Sequence, residues 1–297
     1  MKRLLYTLLI ALSTVPALRA QNEMDNLLDA GTDEPDYAFA TFKSFRIVNQ
    51  HSIEHLKKKH LLFIISHRFD RIDKGFYDMF GLDQAQIRLG LDYGVTDWLQ
   101  IGVGRSTFEK TYDGYAKVRL LRQSKGAKKM PVSLSLFGGT YINSLKDQLI
   151  PGVPEGKNIG FENRVSYATQ VIIARKFNSW LSLQLTPAMV HRNYVQSAQD
   201  QNTVLALNAA GRVKLSKRIA ITGEYSYLPT GQIKTTHYNA AALGVDIETG
   251  GHVFQLHLTN ARPMIEKGFI AGTNDDIGDG GIYFGFNIVR TFSFDKR

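Results

Sequence analysis

Three clusters in the sequence carry side chains whose types and spacing suit chemistry. His51-Ser52-Ile53-Glu54-His55 spells an inverted zincin pattern. On a helix the two histidines would stand one turn apart and share a zinc, with Glu54 acting on a bound water. No long helix is predicted around them and no third ligand is identifiable, so a strand end or turn is the expectation. Ser66 and His67 are the candidate pair for lipid hydrolysis, because a serine nucleophile needs a histidine base within reach. Neighbours on one strand point to opposite faces, which separates them. Asn274-Asp275-Asp276-Ile277-Gly278-Asp279-Gly280 has the carboxylates and glycines of a calcium loop but lacks the order and terminal glutamate of an EF-hand. It is expected to be an ordinary acidic external loop. The sequence therefore leads us to expect no catalytic residues, no metal and no cofactor.

A fourth set is spread along the chain on one parity. Arg88, Lys117, Arg119, Arg164, Arg212 and Lys214 stand against Asp92, Asp113, Glu224, Asp246 and Glu248. If this parity faces a lumen, opposite charges at similar heights brace its wall, or they line a path for ions and solutes. For the second case Arg88, Lys117, Arg119 and Arg164 are the selectivity candidates.

The elements that would hold these charges are strands. The stretch Gly281–Phe294 puts Ile282, Phe284, Phe286, Ile288, Phe292 and Phe294 on one parity, interrupted by Arg290. Period-2 alternation of that length reads as a strand. Upstream, Leu89, Leu91, Tyr93 and Val95 match Leu99, Ile101 and Val103 only if the loop is Thr96-Asp97-Trp98; a two-residue turn would set the apolar sets on opposite faces. The same test places turns near Gly126 and Asn178 and at Ser216-Lys217-Arg218. At Thr249-Gly250 an even loop length is required.

Short connections alternate with longer ones near 71–83, 143–160, 195–202, 228–238 and 260–280. That is the pattern of periplasmic turns and external loops of a transmembrane barrel. The fold expected is all-β, a transmembrane antiparallel up-and-down β-barrel of about 12 strands, with 14 as the alternative. Residues 37–50 alternate poorly and are set aside as accessory: a strand, a lumen plug or a periplasmic arm. The last strand should close on the strand around Leu61–Phe69. A soluble β-sandwich or lipocalin-like barrel is the rival. Small and amide residues on the polar parity favour the membrane version. So do aromatics at strand ends, with Tyr93, Trp98, Trp180, Tyr225, Tyr227, Phe292 and Phe294 as an interfacial girdle.

Composition fits export. The chain has 297 residues, a net charge of +9 and no cysteine, which removes disulfides and thiolate metal sites. Lys2-Arg3 followed by Leu4–Leu12 and small residues reads as a signal peptide over 1–20. Residues 21–58 read as an acidic leader with an accessory segment, and 59–297 as the barrel. No apolar run reaches the length of a spanning helix.

At Ser66-His67-Arg68-Phe69, Phe80-Gly81-Leu82-Asp83, Gly104-Arg105-Ser106 and Tyr112-Asp113-Gly114 the chain resembles an uncharacterised outer-membrane β-barrel family of Bacteroidota. The resemblance runs from about Ala40 to Phe294 and implies fold and outer-membrane location, with no functional residues attached. From the residues, a narrow channel or transporter for small polar or anionic solutes is expected. The alternatives are a non-catalytic structural or docking barrel and a lipid-modifying enzyme. Expected partners are outer-membrane lipid, the barrel-assembly machinery and a periplasmic protein that contacts the acidic leader and Lys57–Lys59. Nucleic acid is not among them.

Overall fold

Alternation along each strand closes the sheet on itself. In the computed structural model, which describes residues 34–294, twelve antiparallel strands pair in sequence order into a closed barrel. They are β1 (His60–Arg71), β2 (Ala85–Gly94), β3 (Leu99–Ser106), β4 (Tyr112–Leu121), β5 (Ser133–Ile142) and β6 (Val165–Lys176). The second half comprises β7 (Leu181–Arg192), β8 (Thr203–Lys214), β9 (Ile219–Tyr227), β10 (Ala240–Thr249), β11 (His252–Thr259) and β12 (Tyr283–Ser293). The strands run 8 to 12 residues, around the length of about 9–11 that a tilted strand needs to cross a bilayer core. The expected signal peptide and most of the acidic leader lie outside the described residues.

Burial runs opposite to that of a water-soluble β-domain. On β2, Leu89, Leu91 and Tyr93 point outward and are exposed, whereas Arg88, Gly90 and Asp92 point inward and are buried. The other strands repeat the arrangement, so the outer face is apolar and the interior is polar. The soluble rival required the reverse. Aromatics mark both rims of the outer face: Tyr93, Trp98, Trp180, Phe292 and Phe294 at the periplasmic end, Tyr225 and Tyr227 at the external end, all exposed.

The short turns explain the register. In three of them, a three-residue loop opens with a residue whose side chain accepts two backbone N–H groups. Thr96 Oγ1 accepts from Trp98 and Leu99 (3.3 and 2.9 Å). Asn178 Oδ1 accepts from Trp180 and Leu181 (3.0 and 2.7 Å), and Ser216 Oγ from Arg218 and Ile219 (3.2 and 3.1 Å). These local side-chain bonds fix the loop length and keep Leu91 opposite Val103 and Val213 opposite Ile221. The β10–β11 loop has the expected even length but consists of Gly250 and Gly251, because Thr249 still pairs with His252. Gly250 takes φ +48°, where a glycine is at ease.

The seam closes as expected, with Phe286 opposite His67, Ile288 opposite Ile65 and Ser293 opposite His60. Arg290 points outward at the periplasmic end, its guanidinium 5.0 Å from the Phe292 ring centroid. Its stem lies along the apolar wall with the charge at the rim. At the same end Pro35–Tyr37 forms a short ribbon with Ser124–Gly126 of the β4–β5 connection. Residues 40–56 add no strand to the wall. They enter the lumen.

Candidate functional site

The segment between that ribbon and β1 is a loop folded up inside the barrel. It starts at the periplasmic rim, where Ala38 N–H donates to Gln123 O (2.9 Å) and Lys176 Nζ to Phe39 O (2.7 Å). It turns back between Ile47 and Gln50 (Ile47 N–H to Gln50 O, 2.9 Å). It leaves at the same rim, where Lys59 N–H donates to Gly94 O (2.9 Å). Phe42, Ile47, Val48, Ile53 and Leu56 are all buried. They follow neither a helical nor a strand period, because the wall surrounds the segment and apolar side chains find a surface in every direction. The short helix α1 (Glu266–Ala271), from the β12-side external loop, packs into the same interior, with Ile265, Phe269 and Ile270 buried beside Phe42 and Ile47.

An irregular buried backbone must find partners for its N–H and C=O groups outside any ladder. Here the polar wall supplies them. Lys117 Nζ donates to Ser52 O (3.2 Å) and Glu54 O (2.6 Å). Gln255 Nε2 donates to Arg46 O (3.1 Å) and Ile47 O (2.7 Å), Gln184 Nε2 to His51 O (2.8 Å) and Asn287 Nδ2 to Val48 O (3.1 Å). At the tip the Glu224 carboxylate accepts from the backbone N–H groups of Val48 (3.2 Å), Asn49 (2.9 and 3.1 Å) and Gln50 (3.1 Å). Successive amides converging on one anion form a nest, here closed by a wall side chain. Arg68 completes the grip, donating to Asn49 Oδ1 (2.9 Å) and to Ala261 O.

A second hub ties the plug to α1. Glu266 accepts from Arg46 Nη1 (3.2 Å) and Tyr141 Oη (2.7 Å), and its carboxylate lies 3.5 Å from His51 Nε2. The His51 ring rests against Tyr115 and Phe137 (centroids 4.5 and 4.6 Å away). Small residues make the space. A Cβ on Gly94 would stand 2.1 Å from Lys57 O, and one on Gly102 2.3 Å from the Tyr115 ring.

The charges expected in the lumen separate into groups. Arg88, Asp92, Asp113, Lys117, Arg212, Glu224 and Asp246 point inward and are buried. Arg88 is paired with Asp113 (3.0 and 2.5 Å), and Asp246 accepts from Gln255 (2.9 Å). Arg119 lies at the periplasmic end and donates to Asp97 O (3.0 Å). Arg164 lies at the external mouth. It sits in the external β5–β6 connection, bonded to Leu145 O and Asp147, because a 3₁₀ turn at Glu162–Arg164 precedes the strand.

The other clusters also resolve. The His51–His55 stretch forms no helix, and His55 turns away from His51 to Ser135 Oγ (2.9 Å). Among the described residues no group of three or more His, Asp or Glu side chains is placed to hold a metal ion. Ser66 faces the lumen while His67 lies outside, stacked on Phe286 (4.9 Å), so they form no dyad. In the acidic loop, Asp275 accepts from Arg71 (3.0 Å) and Tyr283 Oη (2.6 Å). Asn49, Arg46, Arg68 and Glu266 were not singled out by the sequence. The available signal for the plug was the aperiodic apolar content of 42–56; for Arg68 it was its place on the lumen parity with Ser66.

Two plug histidines give the lumen a pH response. Burial, reinforced by the Arg46 and Lys117 charges, holds His51 well below its ordinary value, and burial does the same to His55. A depressed histidine binds fewer protons in the plugged state than when the segment is released into water. The contribution of these two histidines to plug stability is therefore complete above an ordinary histidine pKa of about 6.5 and is lost as the pH drops below it. Hydrogen exchange at 46–55 should accelerate between about pH 6.5 and 5 while strand amides stay protected. An unchanged ratio of plug to strand protection would refute this.

The fold and its interior define a transmembrane β-barrel plugged by its own N-terminal segment. Residues 42–292 match the family model "Membrane bound beta barrel domain (DUF5777)", and the chain belongs to that family. The matched region includes most of the plug. Closed antiparallel barrels of this kind are outer-membrane proteins, and this is an outer-membrane β-barrel. No curated protein sequence matches it. Among solved structures it is similar to the NanC porin, at 10% identity and a TM-score of 0.48 over 80% of this chain and 100% of that one. An outer-membrane channel from Pseudomonas putida F1 is similar at 13% identity and a TM-score of 0.47, over 82% and 100% of the two chains. Outer membrane phospholipase A from Escherichia coli is similar at 9% identity and a TM-score of 0.43, over 85% and 99%.

Proposed function

We propose that the protein is a gated outer-membrane channel for small polar or anionic solutes and that the plugged barrel is its closed state. One observation carries the reading: much of the plug's polar grip comes from wall side chains bonded to its main chain. Water can replace such bonds at little net cost, and a wall of charges and amides is suited to stay wet after the plug leaves. Arg88 would keep its partner Asp113 in an open bore. Lys117 would lose both plug carbonyls and turn its cation to the path, which favours anions.

The test is conductance in planar bilayers. The full chain should be almost silent, and a variant lacking residues 38–56 should show discrete steps with an anion preference that Lys117→Gln reduces. A deletion variant that folds as a β-barrel and conducts nothing sinks the proposal. The docking reading has one observation in its favour: the chain that follows the leader lies at the periplasmic rim, which also carries the exposed Lys57–Lys59. It predicts capture of a periplasmic protein that is lost when residues 21–58 are removed.

A further inference from the structure

A cavity of 350 Å³ opens at the external end of the barrel, away from the plug's entry. We propose that it is a binding site for a small organic carboxylate with an apolar body, anchored by Arg192. Naming that ligand as the transported solute rests on the channel reading; the binding site does not.

The charges around the cavity can be accounted for one by one. Its charged lining is Arg164, Arg192 and Lys267 against Glu109 and Asp200. Asp200 is saturated by the N–H groups of Lys234 (2.6 Å) and Thr235 (3.1 Å) and the Thr235 hydroxyl (2.9 Å). Glu109 is paired with Lys267 (2.8 Å), and Arg164 with Asp147. Arg192 makes no direct ion pair among the described residues, although the Asp200 charge reaches it. Its guanidinium donates to Gln201 O (2.9 Å) and Ala271 O (3.4 Å), and its Nε–H is buried with no acceptor. A guanidinium carries five N–H donors, so three remain; with Nε buried, the two unused Nη N–H groups are the ones offered to a carboxylate in the cavity. Ile150, Ile233 and Ile265 add an apolar wall, and the volume suits a small organic molecule.

The floor of the cavity is α1, with Lys267, Gly268 and Ala271 lining it. Glu266 on that helix holds Arg46 and Tyr141 from the other side. A ligand on Arg192 therefore contacts the element that latches the plug.

The experiment is isothermal titration of the purified full chain in detergent with sodium hexanoate and benzoate. Their neutral counterparts 1-hexanol and benzyl alcohol, and inorganic phosphate, serve as comparisons. The carboxylates should bind at least about tenfold more tightly than the alcohols, and phosphate should not compete. Arg192→Gln should remove that preference. Because Arg192 also ties two loops, Thr236→Asp on the exposed lining provides a second variant: it should weaken the carboxylates and leave the alcohols unchanged. Equal binding of acids and alcohols, or no heat from either, overturns the site. Carboxylate binding with no conductance from the plug-deleted barrel overturns the channel and leaves the site standing. Conductance without carboxylate binding does the opposite.

Discussion

Glu224→Ala should release the tip of the plug while leaving the barrel closed. One carboxylate accepts from three consecutive main-chain amides, and each lost partner leaves a buried N–H unsatisfied. Such a group costs about 1–3 kcal/mol, and water entering the vacated space returns part of it. A net loss of about 3–5 kcal/mol in plug stability follows, enough to raise exchange at Val48, Asn49 and Gln50 by at least a hundredfold. Glu224→Gln should fall between, since its amide keeps one acceptor oxygen and turns a donor toward the other N–H groups. The β9 ladder to β8 and β10 is untouched, so melting of the barrel should barely move. Exchange at the tip equal to that of the parent protein would refute the role assigned to the nest.

The second large effect belongs to Glu266. Arg46 is 3% exposed and Glu266 1%, so removing the carboxylate leaves a buried guanidinium without its anion. Breaking a buried pair from one side costs about 3–5 kcal/mol, whereas replacing both partners with apolar groups of similar size is often neutral. Glu266→Ala should therefore destabilise both plug and external loop, and adding Arg46→Met should recover much of the loss. Thermal melting of the four proteins of this cycle gives the coupling directly. If the double variant loses the sum of the single losses, the two residues act independently and no latch joins the ends of the lumen.

The wall was legible in the sequence and its contents were not, for a physical reason. A strand between lipid and lumen has two unlike environments at alternating positions, so Leu89, Leu91 and Tyr93 against Arg88 and Asp92 declare the fold locally. Loop parity then fixed the pairings, because a slip by one residue turns every side chain over. The plug has one environment in all directions, hence no period. Its positions are set by contacts with partners far away in sequence, such as Glu224 for Asn49 and Glu266 for Arg46. The parity of the inward charges was readable. Their pairing was not readable, since height in a barrel depends on the stagger of every intervening strand. Arg164 shares the parity of the strand that begins one residue later but lies in the turn before it, at the external mouth.

The two ends of the plug lie at the same rim, Ala38 on Gln123 and Lys59 on Gly94, and this has a topological consequence. The segment goes up and comes back without threading through the bore, so it can retract like a hinged flap with no free end crossing the barrel. Phe294 N–H bonds to Lys59 O (3.0 Å), so the foot of the flap is held by the last strand at the seam. The chain that completes the sheet therefore also anchors the foot of the plug.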